Sequence, residues 1–368
     1  MTTSHLAVDL AAIARNVERM RERGGGRDVF AAVKADAYGH GMVPVARHIE
    51  PLVTGFGVAT VGEGRTLRDA GITTPILKLS PALPPELPGA LECGISLTIG
   101  ALANIDEAAT AAREAGTMAR VHLNVDTGMR RVGVRPDDAV AAAQRIEAAP
   151  ELELEGIFTH FADADTEEGR AFTHQQIAAF RLAVDEVVAA VGPVRWVHSA
   201  NSAGILNHDL TGDTAVRPGI ALYGSAPELN LADDLLDPVA RWTSRVILVK
   251  PVRAGESVSY GRTWTAPDDT FIATVAVGYG DGYSRLNSNR GRVLIAGVSY
   301  PVVGRVCMDQ IMVDLGARTD VVAGDEVVLM GGSGSDRITP QELANLMGTI
   351  PYEVTCLITQ RVRRSYTA

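Results

Sequence analysis

The chain has 368 residues, 46% hydrophobic and 21% charged, the balance of a folded globular protein. At roughly 150 residues per domain this length holds about two domains, or one large barrel with an addition. The 34 basic and 44 acidic residues leave a formal charge of −10, and no run of five basic residues occurs, which argues against a nucleic-acid partner. Only three basic residues are lysines (Lys34, Lys78, Lys250), whereas 31 are arginines.

The three cysteines, Cys93, Cys307 and Cys356, form no Cys-x-x-Cys pair, so neither a zinc site nor a disulfide framework is expected. Asp9 and Arg15 interrupt the first 20 residues, which do not read as a signal peptide, and no apolar run reaches the ~18 residues of a membrane span. The expected location is the cytoplasm.

A strand-like His5–Val8 opens the chain, and Leu10, Ile13, Val17 and Met20 follow at helical spacing. Strands are then predicted at Val29–Val33, Gly55–Thr60, Pro75–Leu79, Ile95–Ile99, Arg120–Val125, Leu154–Thr159, Val194–Val197 and Thr214–Val216. Alanine-rich helices are expected between most of them, among others at Ala101–Ala115, Asp138–Ala149 and Glu167–Val191. This alternation predicts an α/β architecture, an N-terminal (β/α)8 TIM-like barrel over residues 1–238. No Gly-x-Gly-x-x-Gly follows the first strand, so a dinucleotide fold has no support.

Beyond residue 240 the rhythm changes to strands with short turns: Trp242–Val249, Thr270–Val277, Arg292–Ala296, Tyr300–Val306, Gln310–Leu315 and Glu326–Met330. Only Thr339–Leu346 reads as a helix, with Thr339-Pro340 as its cap and first residue. A C-terminal, mainly antiparallel β-domain over 239–368 is expected.

In a parallel barrel the chemistry collects where the strands end. Lys34 follows the wholly apolar Val29–Val33. Most lysines are solvated, but desolvation lowers a lysine pKa and supplies the neutral amine that a Schiff base with an aldehyde needs. Other strand ends carry Asp126 to Arg131, His160, Ser199 to Ser202, and Arg217 to Ile220. Ser199, Asn201, Ser202, Gly219 and Ile220 read equally as turn chemistry or as a phosphate cradle. Beside a Schiff-base lysine they suggest a phosphorylated aldehyde, pyridoxal 5'-phosphate.

These residues resemble the alanine racemase family along essentially the whole chain. The resemblance rests on Ala32-Val33-Lys34-Ala35-Asp36-Ala37-Tyr38-Gly39-His40-Gly41, Asp126-Thr127-Gly128-Met129 with Arg131, and Thr159-His160-Phe161-Ala162. It continues in Ala200-Asn201-Ser202-Ala203, Arg217-Pro218-Gly219-Ile220, Val258-Ser259-Tyr260-Gly261 and Gly278-Tyr279-Gly280-Asp281-Gly282. Val303-Gly304-Arg305-Val306-Cys307-Met308-Asp309-Gln310 and Tyr352-Glu353-Val354 complete it.

The resemblance implies a two-base racemisation of alanine that supplies D-alanine for peptidoglycan. Lys34 would hold the cofactor and handle the α-proton of D-alanine, and Tyr260 that of L-alanine. On its own, Tyr260 reads as a packed strand tyrosine; only the resemblance gives it a role. A phenol ionises near pH ~10, so it needs positive surroundings to act as a base, and His160 and Arg217 are expected to supply them. Arg217 can only donate a hydrogen bond to the cofactor ring, which favours reprotonation at the α-carbon over transamination. Arg131 and the Met308 backbone would bind the substrate carboxylate. Tyr38, Ser202, Gly219, Ile220 and Tyr352 match the phosphate-binding set, and Asn201 lies in the same cofactor-binding group. A homodimer is implied, with Tyr260 and Met308 reaching the other copy's site.

The chain departs from the family pattern at Asn124, where many members place a carbamate-modified lysine. A chloride or other small anion near Asn124 and Arg131 is expected to replace the missing charge. His5, His48, His122, His174, His198 and His208 read as structural or surface histidines. The alternatives are a racemase of another small or broader amino-acid set, a non-catalytic pyridoxal-phosphate carrier, and a barrel decarboxylase, which the motifs match less well.

Overall fold

The computed structural model describes residues 3–226 and 235–368. A first strand, β1 (His5–Asp9), precedes eight parallel strands: β2 (Asp28–Ala32), β3 (Gly55–Val58), β4 (Ile76–Lys78), β5 (Ile95–Ile99), β6 (Ala119–Asn124), β7 (Leu152–Phe158), β8 (Trp196–His198) and β9 (Ala215–Val216). The run from β2 to β9 returns on itself, with Asp28 paired to Ala215 and Val29 to Val216. The last seam is bridged by Thr214 N–H on the Val197 carbonyl (2.8 Å) and Arg217 N–H on the Ala200 carbonyl (2.9 Å). The result is a nearly closed barrel, as the strand–helix alternation predicts.

Strands β3, β4, β5, β8 and β9 are buried along their whole length, the mark of a parallel sheet covered on both faces. Inside, Phe30, Leu77, Trp196 and Ala215 form one cluster. The Phe30 and Trp196 rings meet edge to face at 4.9 Å, and Trp196 donates to Asp28 at 2.9 Å, satisfying its indole N–H. The outer helices follow their apolar stripes. Leu102–Ala115 turns Ile105, Ala108, Ala109 and Ala112 inward and stops at Gly116, whose φ of 63° suits a left-handed helix end.

The second sheet contains β10 (Ala240–Val252), β13 (Thr270–Val275), β14 (Arg292–Ile295), β15 (Val298–Val303), β16 (Ile311–Asp314), β17 (Glu326–Ser333), β18 (Asp336–Ile338) and β19 (Arg363–Thr367), together with β1. A separate ribbon pairs β11 (Ser257–Val258) with β12 (Trp264–Thr265). All the sheet's pairings are antiparallel except β1 with β19. Helix Pro340–Met347 begins where expected, with the Thr339 hydroxyl accepting the Glu342 N–H. A second helix, Pro351–Cys356, was not expected. It is only six residues long, too short for a helical period to show.

The described parts of Met1–Ala11, Tyr38–Gly41 and Pro238–Ala368 form one compact unit, and those of Ala12–Ala37 with Met42–Asp237 form the other. The first strand therefore lies outside the barrel, although the expected division placed it within 1–238. Its burial alternates, half-buried then buried, as in a strand with one face on a core, and it pairs antiparallel with β10.

Just past β2 the backbone coils with the uncommon hand. Ala35, Asp36, Ala37 and Tyr38 have φ of 53° to 54°, and Ala37 N–H donates to the Val33 carbonyl at 2.8 Å. A left-handed turn of non-glycine residues costs about 1–2 kcal/mol per residue, so its surroundings must hold it. The Glu63 carboxylate accepts the Ala35 N–H (2.7 Å), and the Asp36 carboxylate accepts that of Met42 (2.7 Å). Glu63 is also the closing residue of the capping box begun by Thr60, so one carboxylate starts a helix and pins the turn. Within the other unit, Arg364 donates to the Gly39 carbonyl at 2.9 Å, and a Cβ on Gly39 would lie 2.1 Å from the Thr355 oxygen.

The exposed Ala35 tests this strain. Ala35→Gly should leave the protein equally stable or more stable by up to about 1 kcal/mol, because glycine adopts this hand freely. The control Ala178→Gly, exposed in the ordinary helix Arg170–Val191, should cost about 1 kcal/mol. Urea unfolding midpoints of the two variants decide the sign.

Candidate active site

The strand ends of the barrel carry the residues singled out in its sequence. Lys34 follows β2 and is half-buried. His160, also half-buried, follows β7, and the charges of Arg217, Arg131 and Lys34 all act on it. Burial first, then those cations, hold His160 down at about 3, so it is neutral at pH 7. It therefore cannot supply positive charge, contrary to expectation; the barrel's rim takes its charge from the arginines and Lys34.

The loops are fixed by side chains from behind. Gln176, fully buried on helix Arg170–Val191, accepts the Ala162 N–H (3.0 Å) and donates to the His160 carbonyl and the Thr127 hydroxyl, both at 3.2 Å. Thr127 and Thr159 share a hydroxyl hydrogen bond of 2.8 Å. Asp126 accepts the N–H groups of Gly128 (2.9 Å) and Arg130 (3.0 Å), shaping the turn that leads to the exposed Arg131. Asn124, at the end of β6, is buried and uncharged.

Arg217 is 5% exposed. Its Nη1 donates to His198 Nδ1 (2.7 Å) and the His198 carbonyl (2.6 Å); its Nη2 donates to the Thr159 (2.6 Å) and Ser199 (3.0 Å) carbonyls. Burial pulls its guanidinium down to about 10, against the pull of Asp213, so it remains a cation at pH 7. Its Nε–H is given no acceptor by the described residues. The Ser202 hydroxyl accepts N–H groups from Gly219 (2.9 Å) and Ala221 (3.3 Å), which leaves its own proton to donate. Asn201 caps Ser202–Asn207 through the Gly204 N–H (2.9 Å), and Ile220 opens the next turn.

In the other unit, Tyr38 and Tyr352 bring their rings to 6.0 Å. Burial, then Tyr352 and Cys356, push the Tyr38 phenol up, so it stays protonated. Tyr260 and Met308 stand exposed at 72% and 54%. Their loops adjoin: Ser259 donates to the Arg305 carbonyl at 2.7 Å and lies 3.7 Å from the Cys307 sulfur. The Met308 carbonyl accepts the Gly280 N–H at 2.9 Å.

A half-buried amine, a guanidinium with an uncommitted N–H and a hydroxyl with a proton to give form a donor set that fits a phosphorylated, aldehyde-bearing heterocycle. Residues 8–227 match the family pattern described as alanine racemase, N-terminal domain, and residues 239–366 match alanine racemase, C-terminal domain. The chain belongs to the alanine racemase family. The alanine racemase of Cutibacterium acnes is 47% identical over 363 residues, 98% of this chain and 97% of that protein. The crystal structure of alanine racemase from D-cycloserine-producing Streptomyces lavendulae has a TM-score of 0.93 at 36% identity, covering 100% of this chain and 98% of that one. The Bartonella henselae alanine racemase, solved with covalently bound pyridoxal phosphate, has a TM-score of 0.90 at 26% identity and covers both chains fully.

Sequence patterns did not single out Glu63, Gln176 or Glu155. The Thr60-x-x-Glu63 spacing marks the first; a charged residue in the apolar run Leu154-Glu155-Gly156 marks the last. His122 and His198, taken as structural or surface histidines, are fully buried and hydrogen-bonded to each other at 2.9 Å inside this racemase-family barrel.

The neutrality of His160 has a thermodynamic sign. An unfolded chain protonates this residue below about pH 6.5, whereas the folded one resists until about 3. Stability should therefore fall as the pH drops through that window. Urea titrations at pH 7 and pH 5 measure the fall, and His160→Asn should reduce it.

Proposed function

We propose that this chain interconverts L- and D-alanine using pyridoxal 5'-phosphate, as an isomerase supplying D-alanine for peptidoglycan. Family membership and the placement of Lys34, Arg131, His160 and Arg217 after strands β2, β6, β7 and β9 of one parallel barrel carry this reading. Bound there, the cofactor would act as an electron sink that acidifies the α-proton of the amino acid. Lys34 would anchor it covalently, Arg217 would donate its uncommitted N–H to the ring, and Ser202, with Gly219, Ile220, Asn201, Tyr38 and Tyr352, would hold the phosphate.

Racemisation needs a proton acceptor on one face of the α-carbon and a donor on the other. Lys34, freed from its anchoring role, would take or return the proton of D-alanine. Tyr260 from a second copy of the chain would do so for L-alanine. The exposure of Tyr260 and Met308 on adjoining loops supports a homodimer in which this surface is covered. Arg131 and the Met308 N–H would then bind the carboxylate, and the guanidinium groups would favour the tyrosinate that a base requires. His160, being neutral, would contribute hydrogen bonding and no charge. A permanent cation at Arg217, unable to accept a proton from the ring, would keep electron density near the α-carbon and favour reprotonation there.

Chiral analysis of alanine incubated with the holoenzyme tests this. Lys34→Ala should abolish both D-alanine formation and the cofactor's visible absorption. Tyr260→Phe should lower turnover by about 10²–10⁴-fold and suppress solvent-deuterium entry into L-alanine more than into D-alanine. Equal exchange from both enantiomers in Tyr260→Phe would remove its assigned role.

The uncharged Asn124 near the Arg131 loop supports a bound chloride or similar anion that supplies the negative charge. The KM for alanine should fall as chloride replaces a bulky organic anion at constant ionic strength. Kinetics indifferent to halide would show that no such anion is needed.

A further inference from the structure

Behind Arg217 runs a line of buried polar side chains that the racemisation scheme does not use. His198 Nδ1 meets the Arg217 guanidinium at 2.7 Å, and its Nε2 meets His122 Nδ1 at 2.9 Å. His122 Nε2 lies 3.2 Å from Glu155 Oε2, which also accepts the Ser96 hydroxyl at 2.7 Å. All four side chains between Arg217 and the far wall are buried to 3% exposure or less.

The two ends fix the direction of every proton between them. A guanidinium only donates, so His198 Nδ1 must accept and its proton must sit on Nε2. That N–H then donates to His122 Nδ1, which places the second proton on His122 Nε2, facing a carboxylate. Any other neutral arrangement sets two donors or two acceptors against each other in a buried place. Burial and Arg217 push both histidines below their ordinary range. Burial works to raise Glu155, but the His122 and Ser96 hydrogen bonds overcome it and hold the carboxyl below its ordinary range, so it is ionised.

The barrel makes room for this line at some cost. Val121 pairs with Leu154 and His122 with Gly156, so Glu155 is an extra residue in β7, at a bulge that turns its side chain inward. A Cβ on Gly156 would lie 2.3 Å from His122 Nδ1, so only glycine leaves space for that ring. His198 is stacked between Phe158 (5.0 Å, 9°) and Phe30 (5.7 Å, 16°), and His122 is stacked on Trp196 (5.8 Å, 22°).

We infer that Glu155 is a positioning residue for the cofactor-binding arginine, acting through His122 and His198 to hold an acceptor on Arg217 Nη1 and so aim the uncommitted Nε–H. The line also places a negative charge at its far end, in addition to the Asp213 carboxylate that already acts on the buried cation, without letting a carboxylate touch the guanidinium. A carboxylate in direct contact would claim the N–H groups that the ligand and the loop carbonyls use. The inference rests on the racemase reading above, yet its first test needs no turnover.

Holoenzyme labelled with ¹⁵N-histidine, with signals assigned by single His122→Gln and His198→Gln variants, should show both residues neutral and protonated on Nε2. Glu155→Gln, which keeps an acceptor oxygen, should preserve that pattern. Glu155→Leu, which takes the acceptor away from His122 Nε2, should shift the His122 signals, shift the visible band of the bound cofactor and raise the pyruvate-to-D-alanine ratio, with KM little changed. A proton on Nδ1 or an imidazolium at either residue in the wild type would overturn the inference. So would Glu155→Leu with unchanged histidine signals and cofactor band, since a merely structural role lowers stability alone. If Glu155→Leu does not fold, the wild-type and Glu155→Gln tautomers still decide. Absence of D-alanine formation with the predicted tautomers would count against the racemase reading and not against the relay.

Discussion

The buried guanidinium of Arg217 organises one end of the barrel interior. Arg217 cannot be neutralised at ordinary pH, and among the described residues no carboxylate touches it, so its N–H groups must find acceptors. They find them in the carbonyls of Thr159, His198 and Ser199 and in one imidazole nitrogen. Those carbonyls begin the loops after β7 and β8, so satisfying the guanidinium also sets where His160, Asn201 and Ser202 emerge. Ser202, in turn, takes the Gly219 amide and ties the β8 loop to the β9 loop. The order of the loops on this rim of the barrel and the solvation of one cation are thus the same problem.

The rim is assembled largely by side chains that never reach it. Glu63 serves both a helix cap and the left-handed turn after Lys34. Gln176 ties together the loops that follow β6 and β7 from a neighbouring helix. Such supports leave the exposed groups free for chemistry and keep their own polar atoms paired away from water.

The eight barrel strands were legible because parallel strands covered on both faces are short apolar runs, and each of the eight expected runs overlaps an observed strand. Lys34 was legible for the same reason, as a charged residue abutting such a run. The place of β1 was not, since five residues of alternating burial fit either sheet and only the pairing with β10 decides. The histidine line was invisible for a different reason. A one-residue bulge reverses which face Glu155 occupies, and no periodicity in the sequence announces a bulge. The charge state of His160 depends first on its burial and then on Arg217, Arg131 and Lys34, charges from distant segments that sequence order does not bring together.

The left-handed coil at Ala35–Tyr38 has a consequence for how this segment tolerates change. Burial is the usual guide to which positions drift, and by that guide the exposed Ala35 and Asp36 should vary freely. At Ala35 the constraint is chirality and not side-chain contact, and Asp36 carries the same constraint beside its bond to the Met42 N–H: any Cβ bears the strain, and a β-branched side chain worsens it. Only glycine, or a residue of the mirror-image configuration, sits there without strain. The exposed half of the segment is therefore closed to most ordinary substitutions although burial alone would leave it open.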